Sequence, residues 1–284
     1  MTSATATGLL RASPLDAVDA RVLLTHALGW RRTDLITRGD LPLSEAQIAG
    51  FAALEQRRLA GEPVAQITGR REFYGLDFEV TPAVLIPRPE TELLVETVLD
   101  GLAGVKSPAI LDLGTGSGAI AVTIAALRHD ARIVATDRST DALAVAQRNA
   151  LRLLDTNRPG GLPEFAQGSW YEALAALARL SPRPAFDAIV SNPPYIAAGD
   201  PHLSEGDLRF EPSGALTDHA DGLSALREIV AGARAWLKPG APLWVEHGYD
   251  QAAQVRAIFT QHGFEAVESR RDLAGIERIT GAKN

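Results

Sequence analysis

Two segments of the chain carry residue types whose spacing suits chemistry. Asn192-Pro193-Pro194-Tyr195 follows the run Phe186-Asp187-Ala188-Ile189-Val190-Ser191, which reads as a strand. Two consecutive prolines remove two backbone donors and fix φ twice, so the loop is stiff. It offers the Asn192 side-chain carbonyl, the Pro193 backbone carbonyl and the aromatic ring of Tyr195. Two acceptors and a flat face suit a planar –NH2 group, whose two protons both seek partners. A rigid turn without chemistry is the plainer reading of the same residues.

The second segment is Asp112-Leu113-Gly114-Thr115-Gly116-Ser117-Gly118-Ala119, placed where a strand should end and a helix begin. Glycines there let the backbone turn sharply and let a ligand approach without meeting a Cβ. Asp137 lies 19 residues beyond Gly118, at the end of the next strand, where an acid can accept from ribose hydroxyls. Gly114 to Ala119 satisfies the G-x-G-x-x-A dinucleotide fingerprint. An acidic residue followed by G-x-G-x-G equally fits motif I of S-adenosylmethionine-dependent methyltransferases. A bare strand-to-helix connection is the third reading. The turn points to a nucleoside cofactor and leaves open which one.

The elements that must position these segments follow from periodicity. Residues 1–65 read as helical. Ser13-Pro14 suggests an N-cap and first-turn proline, and Ser44-Glu45-Ala46-Gln47 a capping box. Ile48, Phe51, Ala52 and Leu59 recur at helical spacing until Gly61 and Pro63 stop the run. A bundle this small has little core of its own and is expected to serve as a recognition or lid module leaning on a larger partner. From Phe73 to Ile86, alternation at Leu76, Phe78 and Val80, a break at Thr81-Pro82, and Val84-Leu85-Ile86 predict a two-stranded hairpin. Pro87-Arg88-Pro89-Glu90-Thr91-Glu92 opens a helix to about Gly101. Strands at Ala109–Leu113, Arg132–Thr136, from Phe165, at Phe186–Ser191 and at Leu243–Glu246 then alternate with helices. Those helices are expected at Gly118–Arg128, Ser139–Leu151, Tyr171–Leu180, Asp221–Leu237 and Gln251–His262, and the tail has strand character. Such alternation implies an α/β fold with a mostly parallel sheet covered on both faces.

Composition excludes several classes. The chain has 284 residues and a net charge of −7. Residues 1–70 carry +1 and the remainder −8, so neither part has the basic excess of a protein that grips a polyphosphate backbone. With no cysteine, disulfides, thiolate zinc sites and cysteine nucleophiles are out. The six histidines show no pair at metal-ligand spacing, and no metal is expected. The first residues lack a secretory leader pattern, and the most apolar stretch, Ala109 to Leu127, holds Asp112 and three glycines. A cytoplasmic protein without membrane partners is expected.

The chain resembles the family of protein release factor glutamine methyltransferases along most of its length. The segments that carry the resemblance are Gly61–Gly69 (GEPVAQITG), Arg71–Val80 (REFYGLDFEV), Leu85–Glu92 (LIPRPETE), Val190–Ile196 (VSNPPYI), Glu211–Leu216 (EPSGAL), Asp221–Leu223 (DGL) and Arg270–Arg278 (RRDLAGIER). The resemblance implies a seven-stranded Rossmann-like methyltransferase fold over 89–284, joined by a hairpin linker (71–88) to a helical substrate-recognition domain (1–70). It implies S-adenosyl-L-methionine as cofactor, and methyl transfer to the glutamine of the GGQ motif in peptide chain release factors, the enzyme acting as a monomer. Sister enzymes apply the same chemistry to a ribosomal protein glutamine, and more distant ones to adenine N6 of DNA. By resemblance, Gly114, Thr115, Gly116, Ser117 and Gly118 pass under the methionine portion, Asp137 meets the ribose and Trp170 the adenine. Asn192 touches both cofactor and substrate; Pro193, Pro194 and Tyr195 complete the substrate loop, with Asn192, Pro193 and Tyr195 catalytic. The family commonly has Asp before the aromatic; here Ser169 stands there, a weaker acceptor than a carboxylate. Asp112 can either orient the glycine turn or meet the cofactor's amino group. Arg88 and Glu90 either shape the pocket or cap the helix that follows. Arg31-Arg32 and Arg57-Arg58 read as solvated helix ends that can also meet a partner protein.

Overall fold

Capping chemistry punctuates the first seventy residues. In the computed structural model, which describes residues 4–175, 179 and 184–284, α1 (Ala6–Ala12) opens at Thr5, whose hydroxyl accepts from Gly8 N–H at 3.1 Å. Helix α2 (Ala17–Leu28) opens at Asp16 and closes on Gly29 in the left-handed region. The cap expected at Ser13 is therefore misplaced by three residues. Ser13 closes α1 instead, with its hydroxyl donating to Glu55, while the Asp16 carboxylate reaches the Val18 amide at 2.8 Å. After α3 (Arg32–Arg38), α4 (Glu45–Leu59) opens on the capping box expected from Ser44 and Gln47. The short α5 (Val64–Thr68) follows Pro63. These helices share a core of their own, with Leu23, Leu24 and Phe51 almost wholly buried. They form one of two compact units; the second begins at Arg71.

A hairpin follows, starting three residues earlier than alternation predicts: β1 (Arg70–Phe73) and β2 (Leu76–Glu79) pair across Tyr74-Gly75. Both turn residues have positive φ, 52° and 75°, as tight two-residue hairpin turns of the primed type require. A tyrosine in that conformation is not a turn signal, so the sequence pattern put the bend at Thr81-Pro82. The Glu92 carboxylate holds the strained position by accepting from Tyr74 N–H at 2.8 Å. Val84-Leu85-Ile86 forms no strand. A 3₁₀ turn at Pro89–Thr91 leads into α6 (Glu92–Gly101).

The remaining elements alternate: β3 (Ala109–Leu113), α7 (Ala119–Leu127), β4 (Arg132–Asp137), α8 (Thr140–Leu153), β5 (Glu164–Gln167), β6 (Ala188–Ser191), α9 (Ser213–Leu216), α10 (Ser224–Ala233), β7 (Pro242–Glu246), α11 (Ala252–Gln261), β8 (Glu265–Arg271) and β9 (Glu277–Lys283). Of the helix expected over Tyr171–Leu180, Trp170–Leu174 is a 3₁₀ helix, and 176–178 and 180 lie outside the described residues. The sheet order is β5-β4-β3-β6-β7-β9-β8. The first five strands run parallel, and β9 is antiparallel to both β7 and β8.

Strand periodicity divides the core into two layers. Ile110, Val190 and Trp244 pack with α6, α7 and α8, whereas Leu111, Leu113, Ile189, Leu243 and Val245 pack with α10 and α11. Helices on both faces explain why the central strands are apolar on both sides. They also leave the carboxyl ends of the parallel strands as the edge where loops gather. Among the described residues, no helix is long and apolar enough to cross a membrane.

Candidate functional site

A cavity of about 400 Å³ opens at that edge. Its floor is the turn after β3. Gly114, Gly116 and Gly118 all have positive φ, at 74°, 56° and 83°. The amides of Gly114 and Thr115 both donate to Thr136 O at 2.8 Å, and Gly118 N–H closes the turn on Thr115 O. A Cβ at Gly118 would sit 3.2 Å from the Ala146 methyl, so this glycine allows α7 and α8 to pack. A Cβ at Gly114 would meet the Trp170 ring at 3.3 Å. Trp170, itself at φ 43°, thus lies against the bare backbone of the turn.

Asp137 ends β4 beside this floor. Its Oδ2 accepts from Gly116 N–H and its Oδ1 from Ser139 N–H, both at 2.9 Å. Each oxygen keeps a lone pair for a further donor. Asp112 is fully buried, and its Oδ2 accepts from the Thr115 hydroxyl at 2.7 Å. Burial pushes its carboxyl up to about 7, against the opposing hydrogen bond from Thr115. Asp112 does not line the cavity, so of its two readings the structure favours orientation of the glycine turn. Asn149, wholly buried on α8, braces the same turn from behind. Its Nδ2 donates to Ser117 O and Glu79 O, and its Oδ1 accepts from Glu79 N–H.

The Asn192–Tyr195 loop leaves β6 on the opposite wall. Asn192 and Pro194 line the cavity; Pro193 is buried and Tyr195 half-buried. Asn192 Nδ2 donates to Thr91 Oγ1 at 3.1 Å, which commits its NH2 to the wall. The Tyr195 ring does not line the cavity. Its hydroxyl donates to Glu246 Oε1 at 3.2 Å and its backbone carbonyl accepts from Gln251. Burial, reinforced by the Glu246 charge, pushes the phenol well above its ordinary range. Glu246 ends β7 at 1% exposure, and burial pushes it up to about 7. The adjacent Thr91 and Tyr195 hydroxyls work the other way, favouring its charged form.

Arg88 also lines the cavity, and it pairs with the Glu211 carboxylate, which in turn accepts from Ile86 N–H. Arg138 donates to Gly214 O at 3.1 Å, bringing the 212–215 segment to the rim. Of the residues expected from sequence, Gly114, Thr115, Gly116, Ser117, Asp137, Trp170, Asn192 and Pro194 converge on one cavity. Ser169 joins them. Gly118, Pro193 and Tyr195, also expected at the site, do not line it. Thr91, Asn149, Glu211 and Glu246 were not singled out. For Glu246 a signal existed: an acid closing the apolar run Leu243-Trp244-Val245.

Residues 3–69 match the family model described as PrmC N-terminal domain, and residues 89–205 match the Methyltransferase small domain. The release factor glutamine methyltransferase of Burkholderia pseudomallei (strain K96243) is 63% identical over 280 residues, covering 99% of this chain and 96% of that protein. Its counterpart in Bordetella pertussis is 52% identical, covering 96% and 97%. The crystal structure of a methyltransferase from Pyrococcus furiosus superposes with a TM-score of 0.52 at 17% identity, over 82% of this chain and 98% of that one. That last likeness is one of fold.

Proposed function

The chain belongs to the release factor glutamine methyltransferase family, and from that premise we propose that it transfers a methyl group from S-adenosyl-L-methionine to the side-chain amide nitrogen, N5, of the glutamine in the GGQ motif of peptide chain release factors. The enzyme works as a monomer in the cytoplasm, on a protein rather than a nucleic acid. The −8 charge of residues 71–284 agrees with that choice over DNA.

The residues present fit the cofactor. The positive-φ glycines leave a cradle with no Cβ facing it, and the cavity is large enough for a nucleoside with its amino-acid tail. Gly114 to Gly118 hold the methionine portion, Asp137 takes the ribose hydroxyls on its free lone pairs, and Trp170 offers a flat apolar face to the base. When bound, S-adenosylmethionine supplies an electrophilic methyl on a sulfonium centre.

An amide nitrogen is a poor nucleophile because its lone pair is delocalised into the carbonyl. Asn192 Oδ1 and the Pro193 carbonyl accept its two N–H bonds, which raises electron density on nitrogen and fixes its direction. The rest is proximity and orientation. The nitrogen's proton becomes acidic as the new bond forms and leaves afterwards, so no strong base is needed first. Tyr195, anchored on Glu246, stiffens the far end of the loop and helps keep water out.

The observation that carries this reading is the commitment of Asn192 Nδ2 to Thr91, which leaves Oδ1 as the group free to accept from an –NH2. The test is incubation of the purified chain with labelled cofactor and either a release factor or a ribosomal protein, with mass mapping of the product. Methyl on the GGQ glutamine is expected; label confined to the ribosomal protein, or to duplex DNA, rejects the proposal.

A further inference from the structure

A carboxyl group buried at 1% exposure, outside the cavity lining, needs a reason to be there. Glu246 sits at the carboxyl end of β7, on the sheet face of Trp244 that packs toward α6. Its Oε1 accepts from the Tyr195 hydroxyl, and its Oε2 is a buried acceptor with no hydrogen-bond partner among the described residues. Thr91, buried at the start of α6, has its hydroxyl beside this carboxyl and also accepts from Asn192 Nδ2.

Donor and acceptor counting gives the consequence. An ionised carboxylate only accepts, so both neighbouring hydroxyls must point their protons at it. A hydroxyl has one proton. If Thr91 turns its proton to the unpartnered Oε2 of Glu246, it meets Asn192 only as an acceptor, the role it has here, and the Asn192 amide must present Nδ2 to Thr91 and Oδ1 to the other side. We propose that Glu246 is a positioning residue: its carboxylate sets the hydrogen-bond polarity of Thr91, and through Thr91 the flip state of the Asn192 amide. The assignment rests on the reading of Asn192 as the acceptor of the substrate –NH2. In the reversed state Thr91 donates to Asn192 Oδ1, and Asn192 turns its own NH2 to the cavity, where it opposes another –NH2.

The switch is set by protonation as well as by substitution. Burial favours the neutral form of Glu246, and the negative charge of Glu90 near the same helix start adds to it. The Thr91 and Tyr195 hydroxyls and Arg278 on β9 favour the charged form. The balance falls at about 7, so acid reverses the polarity.

The test pairs two readouts on the full chain. In single-turnover methyl transfer to a release factor, wild type should lose rate as pH falls through about 7. Glu246→Gln should be slower by about 100-fold at alkaline pH, with KM nearly unchanged and no acid limb left. Thr91→Val should match it, and Thr91→Ser should restore the rate. Independently of any substrate, the assigned ¹⁵N side-chain amide signals of Asn192 should shift with the same midpoint in wild type and stay fixed in Glu246→Gln. A wild-type rate and pH profile in Glu246→Gln, or Asn192 signals in wild type that ignore pH, overturns the proposal. A wild type that leaves release factor unmethylated while the Asn192 signals titrate as described overturns the functional reading and upholds the polarity relay.

Discussion

At the residue scale, Asn192 separates two tasks that a cavity wall often merges. Its NH2 is spent on Thr91, and its other end is free. Removing the side chain takes away one acceptor for the substrate and leaves the glycine turn, Asp137 and Trp170 in place. Asn192→Ala should therefore keep cofactor affinity nearly intact by calorimetry, while single-turnover methyl transfer falls about 100- to 1000-fold, the range seen when one preorganised hydrogen-bonding group is deleted. An equal loss of cofactor affinity would show the role to be misassigned. The loop itself was legible because two prolines after an apolar strand are rare and stiff. Its partners were not: Thr91 lies 101 residues earlier in the chain and Glu246 is 51 residues after Tyr195. No local pattern links residues that meet only when strands and helix starts assemble.

At the element scale, the strand–helix alternation from Ala109 onward was readable from periodicity, since each element has enough length to repeat its pattern. The hairpin was read as such but its turn was not, because that turn depends on Tyr74 holding φ 52° against its intrinsic preference. What holds the hairpin in place is again long-range. Asn149 on α8 exchanges two hydrogen bonds with Glu79 and sends a third to Ser117 O, and Arg148 on the same helix pairs with the Glu79 carboxylate at 2.7 Å. One buried amide thus joins a hairpin strand to the glycine turn. Asn149→Ala removes three hydrogen bonds, one of them to the Ser117 carbonyl in the buried turn. A loss of about 1–3 kcal/mol in urea unfolding is expected, with cofactor affinity weakened as well because Ser117 loses its brace. Arg148→Ala, which removes an ion pair half-exposed at the arginine, should cost well under this. If Asn149→Ala unfolds at the wild-type midpoint, the brace carries no load.

At the scale of the whole molecule, the site makes the fold respond to pH in an unusual direction. Asp112 and Glu246 are both fully buried, and burial pushes each up to about 7. Between their unfolded values, near 4, and 7 the folded chain holds protons that the unfolded chain has released. Stability contributed by these groups is therefore complete below that window and lost as pH rises through it. Surface carboxylates such as Asp130 and Asp272, whose pKa values are lowered by hydrogen bonds, act with the opposite sign, but at more acid pH. Burial lowers the pKa of His247, which also has the opposite sign and offsets part of this fall. The net expectation is a fall on the order of 3 kcal/mol in unfolding free energy from about pH 5 to about pH 8, read by urea titration at several pH values. Glu246→Gln should flatten that slope and stand above wild type at the alkaline end, since it removes a charge that the interior opposes. Stability that climbs steadily with pH, or a variant with the wild-type slope, would refute this. If both measurements come out as expected, the variant that folds better is the one that methylates worse, as a site built on a buried charge requires.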